Sequence, residues 1–300
     1  MKDEKDYKIK ALKREILINN LKVIIVGIIL VTEIVLIGSY LSSLGFIKVD
    51  NKSKNRVAVI NYNQEVTEAF TTKIMEKLDE IRKDKSYKSV LFIMNSPGGS
   101  PTASEELSEY LKDFQKDKNI TMYIQSIAAS GGYYIASAIK PIYANKNAIV
   151  GSIGVVMPHY NLEELAKRVG IEEDYLTAGE FKKPISFLEK IDEKNREYIK
   201  KHLLEPTYKN FIESVAKNRE ITVDKLKPFT DGKIYIANMA DIKDILVDKI
   251  SSLYMVKRAI KNSLGVKDLE FVDINLDEKK SFLPEIKVGL ELKPYRGILY

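Results

Sequence analysis

The residue best suited to nucleophilic chemistry is Ser130, in the stretch ITMYIQSIAASGGYYIASA at residues 120–138. An apolar run rich in β-formers leads into this serine, and two glycines and a helical pattern follow it. A serine at such a junction stands at a helix N-terminus, where free N–H groups and partial positive charge stabilise an oxyanion. The alternative is a serine that only caps the helix, which is common, and this stretch alone favours the cap.

A second glycine-bearing segment, SPGGS at residues 96–100, follows the buried strand pattern of residues 89–95. Loops after two strands of a parallel sheet open on the same edge, where ligands usually bind. Gly98 or Gly99 could therefore join Gly131 as the two N–H donors of an oxyanion hole. The alternative is a tight turn into a helix without a ligand, and for this segment alone the two interpretations are about equally good.

A serine nucleophile needs a base, and the composition narrows the choice. The chain has no cysteine, which excludes disulfides, thiolate catalysis and Cys-ligated zinc, and it has two histidines, His159 and His202. His159 follows a strand pattern and is a candidate base, whereas His202 lies among lysines in a helical pattern. A lysine can serve instead when burial lowers its pKa from about 10.4. The loop TAGEFKKPIS offers Lys182 and Lys183, although most such lysines only solubilise a surface.

The N-terminal region predicts a membrane anchor. Residues 1–22 are charged, and residues 23–44 form an apolar run that matches the roughly 20 residues needed to span a bilayer core. Glu33 near its centre costs about 3 kcal/mol, but the many Ile, Leu and Val residues return about 0.3 to 0.6 kcal/mol each and outweigh it. The basic flank predicts the N-terminus inside and the remaining chain outside. The alternatives are a buried core helix and a cleaved signal peptide.

Strand and helix patterns alternate after a polar linker at residues 45–55, which predicts an α/β domain with a largely parallel sheet at residues 56–265. We expect a strand at residues 172–177. Residues 266–300 form a charged tail that we expect to be irregular.

Two further patterns bear on this domain. A long helical pattern at residues 194–217 contains Pro206, which should kink or split it. The net charge of +6 is spread along the chain, and no Walker A or GxGxxG pattern follows a strand. We therefore expect neither nucleic acid nor nucleotide as a partner.

The segments QSIAASGGYYIASA, NSPGGS and VGSIGVVM together resemble the signal peptide peptidase SppA family, the S49 serine peptidases. The resemblance covers roughly residues 56 to 250 and is specific only in combination. It implies a fold related to Clp protease and crotonase, and a membrane-anchored peptidase with a Ser-Lys dyad. The resemblance implies five site residues: the nucleophile Ser130, the base Lys182, the lysine-orienting Ser152, and the oxyanion donors Gly99 and Gly131. The aromatic Phe181 favours Lys182 over its neighbour Lys183.

The same resemblance implies the partners. Its members assemble as rings or domes of identical chains, so Lys182 could act on the serine of a neighbouring subunit. The implied substrates are remnant signal peptides and other small-to-apolar peptides, and neither a metal nor a cofactor is required. A crotonase-like acyl-CoA enzyme and a non-catalytic membrane scaffold are the competing functions.

Overall fold

The structure is a computed structural model that describes residues 2–43, 55–183, 185–266 and 268–276. The chain divides into two units, Met1–Lys52 and Ser53–Tyr300, and each is described by itself. The expected linker at residues 45–55 lies outside the described residues except at its last position, and so does the part of the expected tail beyond residue 276.

The described part of the first unit is a single helix, α1 (Lys2–Ser43). Its segment Leu12–Tyr40 has a mean hydropathy of 2.6 and is long and apolar enough to cross a membrane. The apolar side chains of this segment are exposed, as a surrounding lipid phase would require. A signal sequence close to an N-terminus has the same length and composition, so the membrane topology stays a prediction.

The second unit alternates strands and helices. Its elements, in chain order, are β1 (Asn55–Tyr62), α2 (Glu68–Lys83), β2 (Tyr87–Ser96), α3 (Pro101–Phe114), β3 (Asn119–Ala129), α4 (Gly131–Ser137), β4 (Ile142–Ala144), β5 (Ile149–Gly151), α5 (Glu163–Arg168), α6 (Glu193–Ile199), α7 (Glu205–Arg219), α8 (Val223–Leu226), β6 (Ile234–Ile236), β7 (Lys249–Ile250), α9 (Leu253–Leu264) and β8 (Leu269–Asp273).

The strands form one sheet in the order β6-β5-β3-β2-β1-β8, and β4 pairs with both β3 and β7. Every pairing is parallel except that of β5 with β6. The long strand β3 pairs with β4 through its first half and with β5 through its last residues. The expected α/β fold with a mostly parallel sheet is therefore confirmed.

Both faces of the central strands β1 and β2 are buried, which explains their nearly continuous apolar patterns. In β1, Ala58, Ile60 and Tyr62 face the larger apolar cluster, which also takes side chains from α2, α3, α4 and α7. The alternate residues Val57 and Val59 face a smaller cluster with α9. The two-residue period of a strand separates these two sets.

Side-chain caps set where the flanking helices begin. Thr67 accepts a hydrogen bond from the amide of Phe70 at the start of α2, and Ser100 accepts one from Ala103 at the start of α3. Pro101 occupies the first turn of α3, where its missing N–H costs nothing. Since Ser100 directly follows Gly99, this cap also fixes one end of the glycine loop.

Three predictions from the sequence can be compared with the observed elements. The predicted long helix is helical without a break over residues 193–219, with a π-helical turn (Lys200–Leu204) between α6 and α7 and Pro206 in the first turn of α7. The predicted strand at residues 172–177 is wrong, since these residues are exposed and pair with no strand. The prediction of an irregular tail is wrong at β8, which pairs with β1 despite its charged residues because a sheet-edge strand keeps one side in solvent.

Candidate active site

Ser130 lies between the end of β3 and the first residue of α4. Its backbone angles are φ 50° and ψ −124°, a region that non-glycine residues rarely adopt. Its side chain makes no capping hydrogen bond to α4, so the interpretation of Ser130 as a helix cap is wrong. A strained strand-to-helix turn that exposes a serine hydroxyl is the geometry of a nucleophile elbow.

The glycine loop after β2 packs directly against Ser130. An ideal Cβ on Gly98 would lie 2.7 Å from the Cβ of Ser130 and 3.0 Å from the amide nitrogen of Gly131. Gly98 has a φ of 111°, which glycine adopts without strain. Only a residue without a side chain permits this approach.

The loop is held from its other side by Val66. The amide of Val66 donates to the carbonyl oxygen of Gly98 (2.7 Å), and the amide of Ser100 donates to the carbonyl oxygen of Val66 (2.8 Å). A Cβ on Gly99 would lie 2.2 Å from that Val66 oxygen. Because these bonds fix the peptide planes on both sides of Gly99, they also fix where its N–H points.

The backbone amides of Gly98 and Gly99 differ in whether they already donate a hydrogen bond. The amide of Gly98 donates to the hydroxyl of Ser96 (3.3 Å). Among the residues that the structure describes, the amides of Gly99 and Gly131 donate to no other group. An ideal Cβ on Gly131 would lie 3.3 Å from the amide nitrogen of Gly99, so the two free donors are neighbours. Two adjacent free N–H groups beside a serine are the elements of an oxyanion hole.

Ser152 is brought to the same edge by β5. The amide of Ser130 donates to the carbonyl oxygen of Gly151 (2.9 Å), and Ser152 is the next residue. Ser152 also has a positive φ, 53°, and its amide donates to the carbonyl oxygen of Lys233 (2.7 Å). The two serines therefore follow neighbouring strands, and both have a positive φ.

Lys182 is not part of this arrangement within one chain. Its side chain is exposed, and no hydrogen bond or ion pair joins it to Ser130 or Ser152 among the described residues. Its amide donates to the carbonyl oxygen of Gly179 (3.2 Å), which closes a turn. The structure therefore brings together Ser130, Ser152 and the two glycines, and leaves the lysine apart.

Lys183 is engaged elsewhere. Its Nζ lies 2.9 Å from a carboxylate oxygen of Glu173 and 3.2 Å from the ring centroid of Tyr175. Partial desolvation opposes protonation of Lys183, but the ion pair with Glu173 and the contact with the ring of Tyr175 outweigh it and raise its pKa. A lysine held in its charged form is a poor base, which favours Lys182 as the candidate.

The lysine loop is attached to α6 by aromatic contacts. Phe181 stacks on Tyr198 with ring centroids 4.4 Å apart. The Nε2 of His159 lies 2.8 Å from the carbonyl oxygen of Ser186, the last residue of the loop TAGEFKKPIS. His159 thus contacts the lysine-bearing loop and forms no bond with Ser130 among the described residues.

The helix that carries Ser130 is held by buried polar contacts. The hydroxyl of Tyr133 donates to the carbonyl oxygen of Leu246 (3.0 Å), and the amide side chain of Asn218 donates to the hydroxyl of Ser137 (3.0 Å). Burial raises the pKa of Tyr133, so it stays a neutral donor. These contacts tie α4 to α7 and to the segment before β7.

Sequence reasoning missed two residues of this site. Val66 lies far upstream of the glycine loop that it holds, and only the parallel pairing of β1 with β2 could have placed their following loops side by side. Ser104 on α3 lies beside Gly131, because its hydroxyl oxygen would be 2.3 Å from a Cβ on that glycine. Nothing in the local pattern of α3 marks Ser104, since small buried residues on helices are usually packing residues.

Comparison with known families agrees with this architecture. The Clp protease family model matches residues 49–151, which contain the glycine loop and Ser130. The peptidase family S49 model matches residues 112–267, just over half of the chain. The chain therefore belongs to peptidase family S49, as the sequence resemblance indicated.

Individual relatives are similar over about half of the chain. A putative protease of Methanocaldococcus jannaschii is 36% identical over 53% of this chain and 50% of its own length. A putative protease of Synechocystis is 30% identical over 61% of this chain and 65% of its own. A putative signal peptide peptidase SppA of Enterococcus faecium is 32% identical over 55% of this chain and 48% of its own. The chain thus spans between about half and two thirds of these relatives.

Proposed function

We propose that this chain is a membrane-anchored serine endopeptidase that cleaves remnant signal peptides and other small-to-apolar peptides. The observation that carries the proposal is the uncapped, strained Ser130 beside the free N–H groups of Gly99 and Gly131. The similarity to a putative signal peptide peptidase of Enterococcus faecium supports the substrate class, and the apolar helix Leu12–Tyr40 supports the anchor.

The chemistry follows from these groups. Lys182, in its neutral form, takes the proton from the Oγ of Ser130 as that oxygen attacks a peptide carbonyl. The N–H groups of Gly99 and Gly131 donate to the oxyanion that forms. Lys182 then protonates the leaving amine, and water hydrolyses the acyl-enzyme. Ser152 accepts a hydrogen bond from the lysine and orients it.

The lysine comes from a neighbouring copy in this proposal. Lys182 belongs to a segment with many exposed apolar side chains, in which Val156 is 83% and Leu176 is 100% exposed. Apolar side chains that cluster on a surface indicate contact with another protein. A ring of identical chains would bury them and carry Lys182 to the next Ser130.

Hydrolysis of fluorogenic apolar peptides by the full chain in detergent tests the dyad. We expect Ser130→Ala and Lys182→Ala to abolish hydrolysis, whereas the control Ser263→Ala, an exposed serine on α9, keeps it. Lys183→Ala should keep most activity because its ion pair with Glu173 is peripheral. Full activity in Lys182→Ala together with inactivity in Lys183→Ala would move the base by one residue.

Mixing the two inactive variants tests the shared site. Ser130→Ala and Lys182→Ala chains that co-assemble at equal amounts recreate an intact dyad at about a quarter of the contacts in a ring. We therefore expect about a quarter of the wild-type rate after dissociation and reassembly. A mixture that remains inactive although the chains exchange would contradict a lysine supplied in trans.

Cysteine labelling tests the topology, since the chain has no cysteine of its own. We expect a membrane-impermeant maleimide to label Ser263→Cys in intact cells and to label Lys13→Cys only after permeabilisation. The opposite pattern would reverse the orientation of the anchor.

A further inference from the structure

The loop between β1 and α2 places an acidic side chain against the glycine loop that follows β2. The Cγ of Glu65 lies 2.9 Å from the position of an ideal Cβ on Gly99, so this side chain packs on the glycine backbone. The next residue, Val66, is bonded to the loop on both sides of Gly99. Glu65 therefore lies next to Gly99, whose N–H group the proposed reaction uses.

The carboxylate of Glu65 has no ion-pair partner in the part of the chain that the structure describes. The Glu65 side chain is exposed. A second carboxylate, that of Glu68 on the first turn of α2, accepts a hydrogen bond from the hydroxyl of Ser100 and also has no cationic partner there. Two negative charges thus flank Gly99 and Ser100.

This charge acts on the proposed reaction directly. Attack by Ser130 creates a negative oxygen at the N–H groups of Gly99 and Gly131, and a nearby carboxylate opposes that charge. A cation on the substrate, placed beside Glu65, would cancel the opposing field. An uncharged substrate would leave it in place.

We propose that Glu65 is a specificity-determining residue that selects peptides with a lysine or arginine side chain, or a free N-terminal ammonium, close to the scissile bond. The inference rests on the proposed function, because it assumes that Gly99 and Gly131 bind the oxyanion. It is compatible with signal-peptide remnants, which combine a positively charged segment with an apolar one.

Binding separates this inference from the catalytic proposal. In the full chain carrying Ser130→Ala, fluorescence anisotropy measures the affinity of uncleaved apolar peptides that differ only in one Lys, Gln or Glu, moved along the sequence. We expect one position at which the Lys peptide binds about three to ten times more tightly than the Gln peptide at low salt. The preference should shrink at high salt, because Glu65 is exposed.

Variants of Glu65 complete the test. Glu65→Gln should remove the Lys preference and Glu65→Lys should turn it into a Glu preference, while Glu76→Gln, an exposed charge farther along α2, should leave it intact. In hydrolysis by chains with Ser130 intact, Glu65→Gln should raise kcat for the Gln peptide. Equal binding of Lys and Gln peptides at every position, or a preference that survives in Glu65→Gln, would overturn the inference. Charge-selective binding without any hydrolysis would instead overturn the proposed chemistry.

Discussion

The backbone amide of Ser130 donates a hydrogen bond to the carbonyl oxygen of Gly151 at 2.9 Å. This bond continues the pairing of β3 with β5 by one residue and holds Ser130 with a positive φ. A strained conformation persists only where the surrounding structure fixes it, and the pairing with β5 helps to fix Ser130 in this way.

Replacement of Ser130 by glycine should stabilise the protein while it abolishes hydrolysis. Glycine adopts φ 50° without the steric cost that a side chain carries, so the gain is about 1 kcal/mol. That corresponds to a rise in unfolding temperature of about 2 to 4 °C for a domain of this size. Thermal unfolding of the full chain in detergent measures it, with Ser130→Ala as the control that keeps the strain. A lower unfolding temperature for Ser130→Gly would contradict the prediction.

Gly131 and Ser104 should behave as a coupled pair. In Gly131→Ala the new methyl group would meet the Ser104 hydroxyl at 2.3 Å, whereas the Cβ of Ser104 lies at 3.5 Å, an ordinary contact. We expect Gly131→Ala to cost about 1 to 3 kcal/mol of stability, and Ser104→Ala in the same chain to restore at least about 1 kcal/mol of it. The free energies of unfolding of the wild type, the two single variants and the double variant form a double-mutant cycle. Additive effects of the two substitutions would contradict the contact.

The aromatic stack between Phe181 and Tyr198 should matter for activity more than for folding. The rings hold the Lys182 loop against α6 on a partly exposed surface. We expect Tyr198→Ala to lower kcat about tenfold with little change in unfolding temperature, since misplacing a catalytic group is costly. Tyr198→Phe keeps the ring and should keep the activity. Equal kcat values for all three chains would show that the stack does not position the lysine.

The buried pair of Arg219 and Asp248 should be the most sensitive polar contact of the domain. The guanidinium is 0% exposed and binds both carboxylate oxygens, at 2.9 and 2.7 Å. Arg219→Met leaves the partly buried carboxylate of Asp248 without its partner, so it should cost about 3 kcal/mol, the lower end of the range for buried pairs. Denaturant unfolding measures the loss. A cost below about 1 kcal/mol, as for exposed pairs, would contradict the burial.

The same pair predicts a dependence on pH. Burial opposes ionisation of Asp248, but the hydrogen bonds from Arg219 and from the amide of Ile142 outweigh it and lower its pKa. The contribution to stability is therefore fully present above the unfolded pKa of about 3.9, and is lost as the pH falls through the lower folded value. We expect the stability of the wild type to fall more steeply below about pH 4 than that of Asp248→Asn. If the stability of both chains fell equally with pH, the acid sensitivity would come from other carboxylates.

Much of the site could be predicted from local patterns. The apolar run before Ser130, the glycines after it and the SPGG segment all report on a neighbourhood of a few residues, and the structure places both loops at one sheet edge as expected for parallel strands. The strand predictions failed where the outcome depended on whether another strand, distant in sequence, was available for pairing. Residues 172–177 include Tyr175 and Thr177, which favour strands, but no strand lies beside them. By contrast, β8 has charged residues but pairs with an available edge on β1.

The sequence by itself determined the alternation of strands and helices, the apolar N-terminal helix and the identity of the candidate nucleophile, because each depends on side-chain type and short spacing. Only the tertiary structure decided that Ser130 does not cap its helix, that Gly99 rather than Gly98 has a free N–H, and that Val66, Glu65 and Ser104 surround the loop. Those facts depend on the directions of backbone groups in strands that are paired across the sheet. Such directions follow from register and strain, which no local pattern of residue types records.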